Sequence, residues 1–215
     1  MKYSRNTVSR FIPILLVIVI TIVAIAAVVM IGQAIFNKKP PLEQQTPSND
    51  QGKSSLLSME AGRSVRLTVR GPIKAQESFR SYTIEIAPDS RVMTTYRGYL
   101  NEVIKQERLD NNNKAYEELI YSLNKRKFMD GKQLTEEQND LRGVCARANI
   151  YKFETLNDGA VVKTLWTSDC GGAKGSAEAN VNEVIDMFLK QIPTGKKLVQ
   201  EIGLTAASDD NPFKL

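Results

Sequence analysis

An α+β fold is what this sequence predicts: an N-terminal transmembrane helix, then one small domain with an antiparallel sheet of about five strands and two amphipathic helices. Three patterns carry the prediction. Residues 11–36 form an uncharged apolar run, residues 64–97 alternate apolar with polar side chains, and the stretches 114–128 and 180–192 repeat apolar residues at helical spacing.

The apolar run, "FIPILLVIVITIVAIAAVVMIGQAIF", is 26 residues long with a single amide, Gln33, near its end. As a helix it measures about 39 Å, enough to span about 30 Å of hydrocarbon with tilt. A cleavable signal peptide has a shorter apolar core, and Ala24-Ile25-Ala26, the nearest match to a cleavage site, lies inside the run. The segment therefore reads as an uncleaved signal anchor, with a processed secretory peptide as the alternative. Lys2, Arg5 and Arg10 precede it and Lys38 and Lys39 follow, so the positive-inside rule favours residues 1–10 as a cytoplasmic flank and the C-terminal domain outside. The reverse topology is the competing reading. Residues 37–62, rich in Pro, Gln, Ser and Asn at their start, read as a flexible tether.

Within the expected domain, residues 63–200, "SVRLTVRG" places Val65, Leu67 and Val69 on one side of a strand and Arg66, Thr68 and Arg70 on the other. "SYTIEIAP" repeats that period, "PDS" signals a turn, and "RVMTTYRG" resumes as a strand. Residues 99–109 fit a strand after a bend at Gly98, or a short helix; the strand is preferred. Beyond the Asn cluster 111–113, Tyr116, Leu119, Ile120 and Leu123 fall on one helical face. A second helix is expected to open at Asn180, with Glu183 three residues on, and to stop at Pro193 and Gly195. Residues 201–215 read as a disordered tail.

The chain has two cysteines, Cys145 and Cys170, flanking two strand-like runs joined by Asn157-Asp158-Gly159. A turn centred between Asn157 and Asp158 sets the two thiols opposite each other at the open end of a hairpin, within disulfide reach. A Gly-containing bulge would shift that register by one. The expectation is a structural disulfide, with two unpaired buried thiols as the alternative, and no third thiolate or CxxC suggests a metal or redox site. Disulfides persist outside the cytoplasm, which independently favours the domain's external position.

Charge and composition narrow function. Of the formal +5, residues 1–54 carry six Lys/Arg against two acids and residues 55–215 carry 23 against 22. The domain lacks the basic footprint of a nucleic-acid binder, and none is expected as a partner. Histidine is absent from the whole chain, which excludes Ser-His and Cys-His catalysis and histidine-ligated zinc. No catalytic residue, metal ligand or cofactor site is identified. Ser122 and Lys125 match S-x-x-K, without the K-T-G and S-D-N companions of that motif. "CGGAKGS" at 170–176 has the composition of a phosphate loop but not its order.

Arginines 63, 66, 70, 80, 91 and 97 lie within 35 residues, and Arg66 and Arg70 share the outward face of one strand. That face suits bidentate contacts to an anionic envelope polymer or lipid headgroup. The alternative is an ordinary solvent face balanced by Glu77, Glu85 and Asp89. Trp166 and Tyr151 are expected to serve cross-strand packing rather than a ligand platform.

The basic start with "SRFIPILLVIVITIVAIAAVV", the polar tether, and the β-rich segment carrying "RGYL", "GVC" and "LWTSDC" resemble uncharacterised signal-anchored envelope proteins of small-genome bacteria such as Saccharibacteria. The resemblance covers most of the chain and implies location only. A type IV pilin fits less well, because no "GFTLIE"-like processing site precedes the apolar run. The expected function is a single-pass, membrane-anchored extracytoplasmic binding or assembly module of the cell envelope, partnered by the membrane and by an envelope protein or anionic polymer. The rivals are an envelope hydrolase using Ser122 and Lys125 or carboxylates, and a subunit of a surface appendage or secretion complex.

Overall fold

The structure is a computed structural model that describes residues 49–60, 62–132, 134–171 and 175–204. The apolar run at 11–36 and its flanks lie outside these residues. Among the described residues no helix is long and apolar enough to cross a membrane.

The strands are β1 (Arg63–Arg70), β2 (Arg80–Ile86), β3 (Ser90–Arg97), β4 (Glu102–Asp110), β5 (Ile150–Asn157) and β6 (Ala160–Ser168). They form one antiparallel sheet of six strands in the order β4-β3-β2-β1-β5-β6. The alternation in β1 works as expected: Val65, Leu67 and Val69 are at most 2% exposed, while Arg66 and Arg70 are half-buried on the other face. Residues 102–110 are strand, following a turn in which Gly98 (φ 70°) and Asn101 (φ 56°) take left-handed conformations. This supplies the sixth strand beyond the expected five.

Among the described residues four helices accompany the sheet: α1 (Asn49–Leu57), α2 (Asn113–Lys125), α3 (Val181–Lys190) and α4 (Gly195–Glu201). The Asn112 side chain caps α2 by accepting from the Ala115 N–H at 2.9 Å, and Asn180 caps α3 by accepting from Glu183 N–H. Leu56, Ile120, Leu123, Phe188 and Val199 from the four helices join Leu67, Ile84, Met93 and Phe153 of the sheet in one core. All four helices therefore cover the same sheet face, and Phe128 bridges them to the strands, with its ring 5.4 Å from Phe153 and 5.6 Å from Phe188.

Three boundaries differ from the sequence expectation. The stretch read as tether contains α1, whose Leu56 enters the core at 1% exposure. Gly195 does not end the last helix but begins another after a break at Pro193, because Leu198 and Val199 return an apolar pair to the core. The expected domain limit at residue 200 lies inside that helix, and Ile202 and Leu204 beyond it are also buried; residues 205–215 lie outside the described residues.

The cysteines pair, but not by the expected geometry. Cys145 and Cys170 form a disulfide with Cα atoms 5.7 Å apart. The β5–β6 turn is Asp158-Gly159, both with positive φ (49° and 76°), and a bulge between Thr155 and Leu156 shifts the register again. Ile150 consequently opposes Ser168, and both cysteines lie in the loops beyond the strand ends. The loop after α2 passes to the uncovered face of the sheet, where Leu134, Leu141 and Val144 pack with the disulfide against Ile150 and Trp166.

Candidate functional site

The sheet face turned away from the helices is mostly polar, apart from Val92 and from Ile150 and Trp166 under the disulfide loop. Cross-strand register arranges its residues in rows. Gln106, Thr94, Thr83, Thr68 and Lys152 form one, and Arg108, Val92, Glu85, Arg66 and Glu154 form the next. Ser81 and Tyr96 continue from Arg70 in a third. Together with Tyr99 from the β3–β4 turn and Leu141 from the disulfide loop, these rows, apart from the buried Glu154, line an open groove of about 670 Å³. Two floor contacts stiffen it: the Gln106 amide donates to Thr94 Oγ1 at 3.0 Å, and the Thr83 and Tyr96 hydroxyls are 3.3 Å apart.

Glu154 anchors the floor. Its side chain is 3% exposed and accepts from Arg66 Nε at 2.7 Å and Lys152 Nζ at 2.9 Å. Burial pushes this carboxyl up, but the Arg66 guanidinium and the Lys152 ammonium outweigh it and hold it below the usual carboxylate range. Arg66 also reaches Glu85, with Nη1 3.6 Å from Oε2.

The arginine cluster is largely dispersed by the fold. Arg63 pairs with Glu60, Arg97 with Glu102, Arg80 donates to the Glu77 and Phe79 carbonyls, and Arg91 donates to the Asp110 and Gln191 carbonyls. Only Arg66 and Arg70 of the six line the groove. Of these, Arg66 is held by carboxylates, whereas Arg70 lies over the Phe79 ring, 5.6 Å from its centroid. Arg108, at the far side, is exposed. No carboxylate lies within ion-pair distance of Arg70 or Arg108 among the described residues. Four cations (Arg66, Arg70, Arg108 and Lys152) against Glu85 and Glu154 leave the groove with an excess of two positive charges.

Sequence reasoning found Arg66 and Arg70 but not Arg108, Lys152 or Glu154. The parity of Gln106 and Arg108 along β4 was a usable signal once that segment is assigned as strand. The Glu154 clamp needs the β1–β5 pairing, which joins residues 88 apart.

Ser122 and Lys125 sit in the last turn of α2, on the helix-covered side of the sheet, and the Arg126 guanidinium donates to the Ser122 carbonyl. Trp166 and Tyr151 are buried at 5% and 3% exposure, and the Tyr151 hydroxyl donates to Asp169 at 2.6 Å. Gly172 to Lys174 of the glycine-rich stretch lie outside the described residues. Among the described residues no group of three or more Cys, Asp or Glu stands close enough together to hold a metal ion. No protein-family model matches the chain, and no curated protein matches it.

Proposed function

We propose that the protein is a membrane-anchored binding module of the cell envelope whose polar groove holds an extended, net-anionic partner. The observation that carries this reading is the pair Arg70 and Arg108, two guanidiniums on one groove without carboxylate partners among the described residues. A strand spacing of about 4.8 Å and a rise of about 3.3 Å per residue place their backbones about 20 Å apart on the sheet diagonal. A compact anion reaches one of them; an extended chain reaches both. Between them lie the hydroxyls of Ser81, Thr83 and Tyr96, each able to donate and accept. The apolar run at 11–36 supplies the anchor, and the charge flanks and the disulfide both favour an external domain.

The test is the affinity of the full chain in detergent for fluorescent poly-L-glutamate, read by anisotropy. Arg70→Gln and Arg108→Gln are each expected to weaken binding about tenfold, and added salt to weaken it further, since each removes a charge-assisted contact. Equal affinity for the wild-type chain and the double variant contradicts the reading.

A further inference from the structure

At the disulfide end the groove opens into a second, smaller cleft of about 170 Å³. Its walls are Ile73, Phe79, Tyr99, Leu141 and Ile150, together with Cys145 of the disulfide. Ile73 and Tyr99 are large apolar residues left 48% and 41% exposed at its rim. The walls are held in place: the Ile73 N–H donates to the Ala146 carbonyl at 3.0 Å, Tyr99 stacks on Phe79 with ring centroids 4.2 Å apart, and the disulfide fixes the loop that carries Leu141. A preformed apolar cavity of about 150 Å³ accepts a benzene ring, so this cleft is the size of one aromatic or branched aliphatic side chain.

Charge at the cleft comes from one residue. Arg142 also lines it, but its guanidinium is taken up by Asp140, with Nε 2.9 Å from Oδ1. Arg70 belongs to both the cleft and the groove and has no such partner among the described residues. An anionic group on Arg70 therefore has an apolar slot on one side and a floor of hydroxyls on the other.

We propose that this end of the groove is a chain-terminus pocket: Arg70 takes the terminal carboxylate of an extended peptide, and the cleft takes that peptide's last, phenyl- or isobutyl-sized, side chain. The preceding residues run over Ser81, Thr83 and Thr68, whose hydroxyls match peptide N–H and C=O groups in turn. The inference rests on the groove reading above and names the chemistry of the partner's end.

The experiment titrates the full chain in detergent, with methyl-labelled isoleucine and leucine, with N-acetyl-L-phenylalanine. Saturable shifts of the Ile73, Leu141 and Ile150 methyl signals are expected. N-acetyl-L-phenylalaninamide, which lacks the charge, and N-acetylglycine, which lacks the ring, are each expected to bind about tenfold more weakly. Arg70→Gln should abolish the preference for the acid over the amide, while Arg108→Gln leaves it unchanged. Equal binding of acid and amide, or no movement of these methyl signals, overturns the pocket. Tighter binding of phenyl phosphate than of N-acetyl-L-phenylalanine overturns the peptide terminus in favour of a phosphate-bearing ligand. Loss of the pocket with poly-L-glutamate still bound leaves the groove reading standing; the converse result overturns the groove and not the cleft.

Discussion

Removing the Cys145–Cys170 bridge is expected to lower the stability of the domain by about 3.5 kcal/mol on the chain-entropy model for the loop it closes. The sequence separation is 25 residues, and the loop carries much of the smaller core. Typical domains have a net stability of about 5–15 kcal/mol, so the loss is a large share of the whole. Urea unfolding with and without reductant measures it, and the Cys145→Ser, Cys170→Ser double variant should match the reduced protein. Trp166, the only tryptophan of the chain, packs in the same cluster, so its emission should shift as the loop loosens, before the helix-covered core unfolds. A denaturation midpoint unchanged by reduction contradicts this role.

Glu154→Gln is expected to cost about 1–2 kcal/mol, because it removes the charge from two charge-assisted hydrogen bonds while Arg66 keeps Glu85 and both cations keep contact with solvent. The cost should depend on pH. The folded carboxyl is held below its ordinary range, so its contribution is complete above the unfolded value of about 4.3 and fades as pH falls through the lower folded value. The stability gap between wild type and variant is therefore steady from neutral pH down to about pH 5 and narrows below about pH 4. The same substitution adds one uncompensated cation to the groove, so poly-L-glutamate should bind the folded variant more tightly. A gap that persists undiminished at low pH contradicts the assigned clamp.

Much of the fold was legible because local pattern and tertiary role agree. Val65, Leu67 and Val69 alternate, and all three enter the core; Tyr116 to Leu123 keep helical spacing, and their apolar face is buried. Where the reading departed from the structure, the deciding interaction was either a backbone detail or a long-range contact. The β5–β6 register turns on which two residues take positive φ, and Asp158-Gly159 does so in place of Asn157-Asp158. Helices α1 and α4 are short and polar over most of their length, so Leu56 and the Leu198-Val199 pair act through burial and leave little periodic signal. The site followed the same rule. Arg66 and Arg70 share a face by simple parity, but which of them is free depends on Glu154, 88 residues from Arg66 in the chain. The disulfide pairing is legible in the sequence although its register is not, since two cysteines permit one intramolecular partner choice and the loops beyond the strands supply the reach.

In the proposed function the groove ends at a cleft walled by the Cys145–Cys170 disulfide and lies outside the membrane, and the two cysteines of the chain report on both proposals. The most direct measurement is labelling of intact cells carrying the full chain with a membrane-impermeant maleimide, before and after treatment with an impermeant reductant. The account predicts no labelling before reduction and labelling of Cys145 and Cys170 after it. Labelling without reduction contradicts the disulfide, and labelling that appears only after lysis contradicts the external position of the domain.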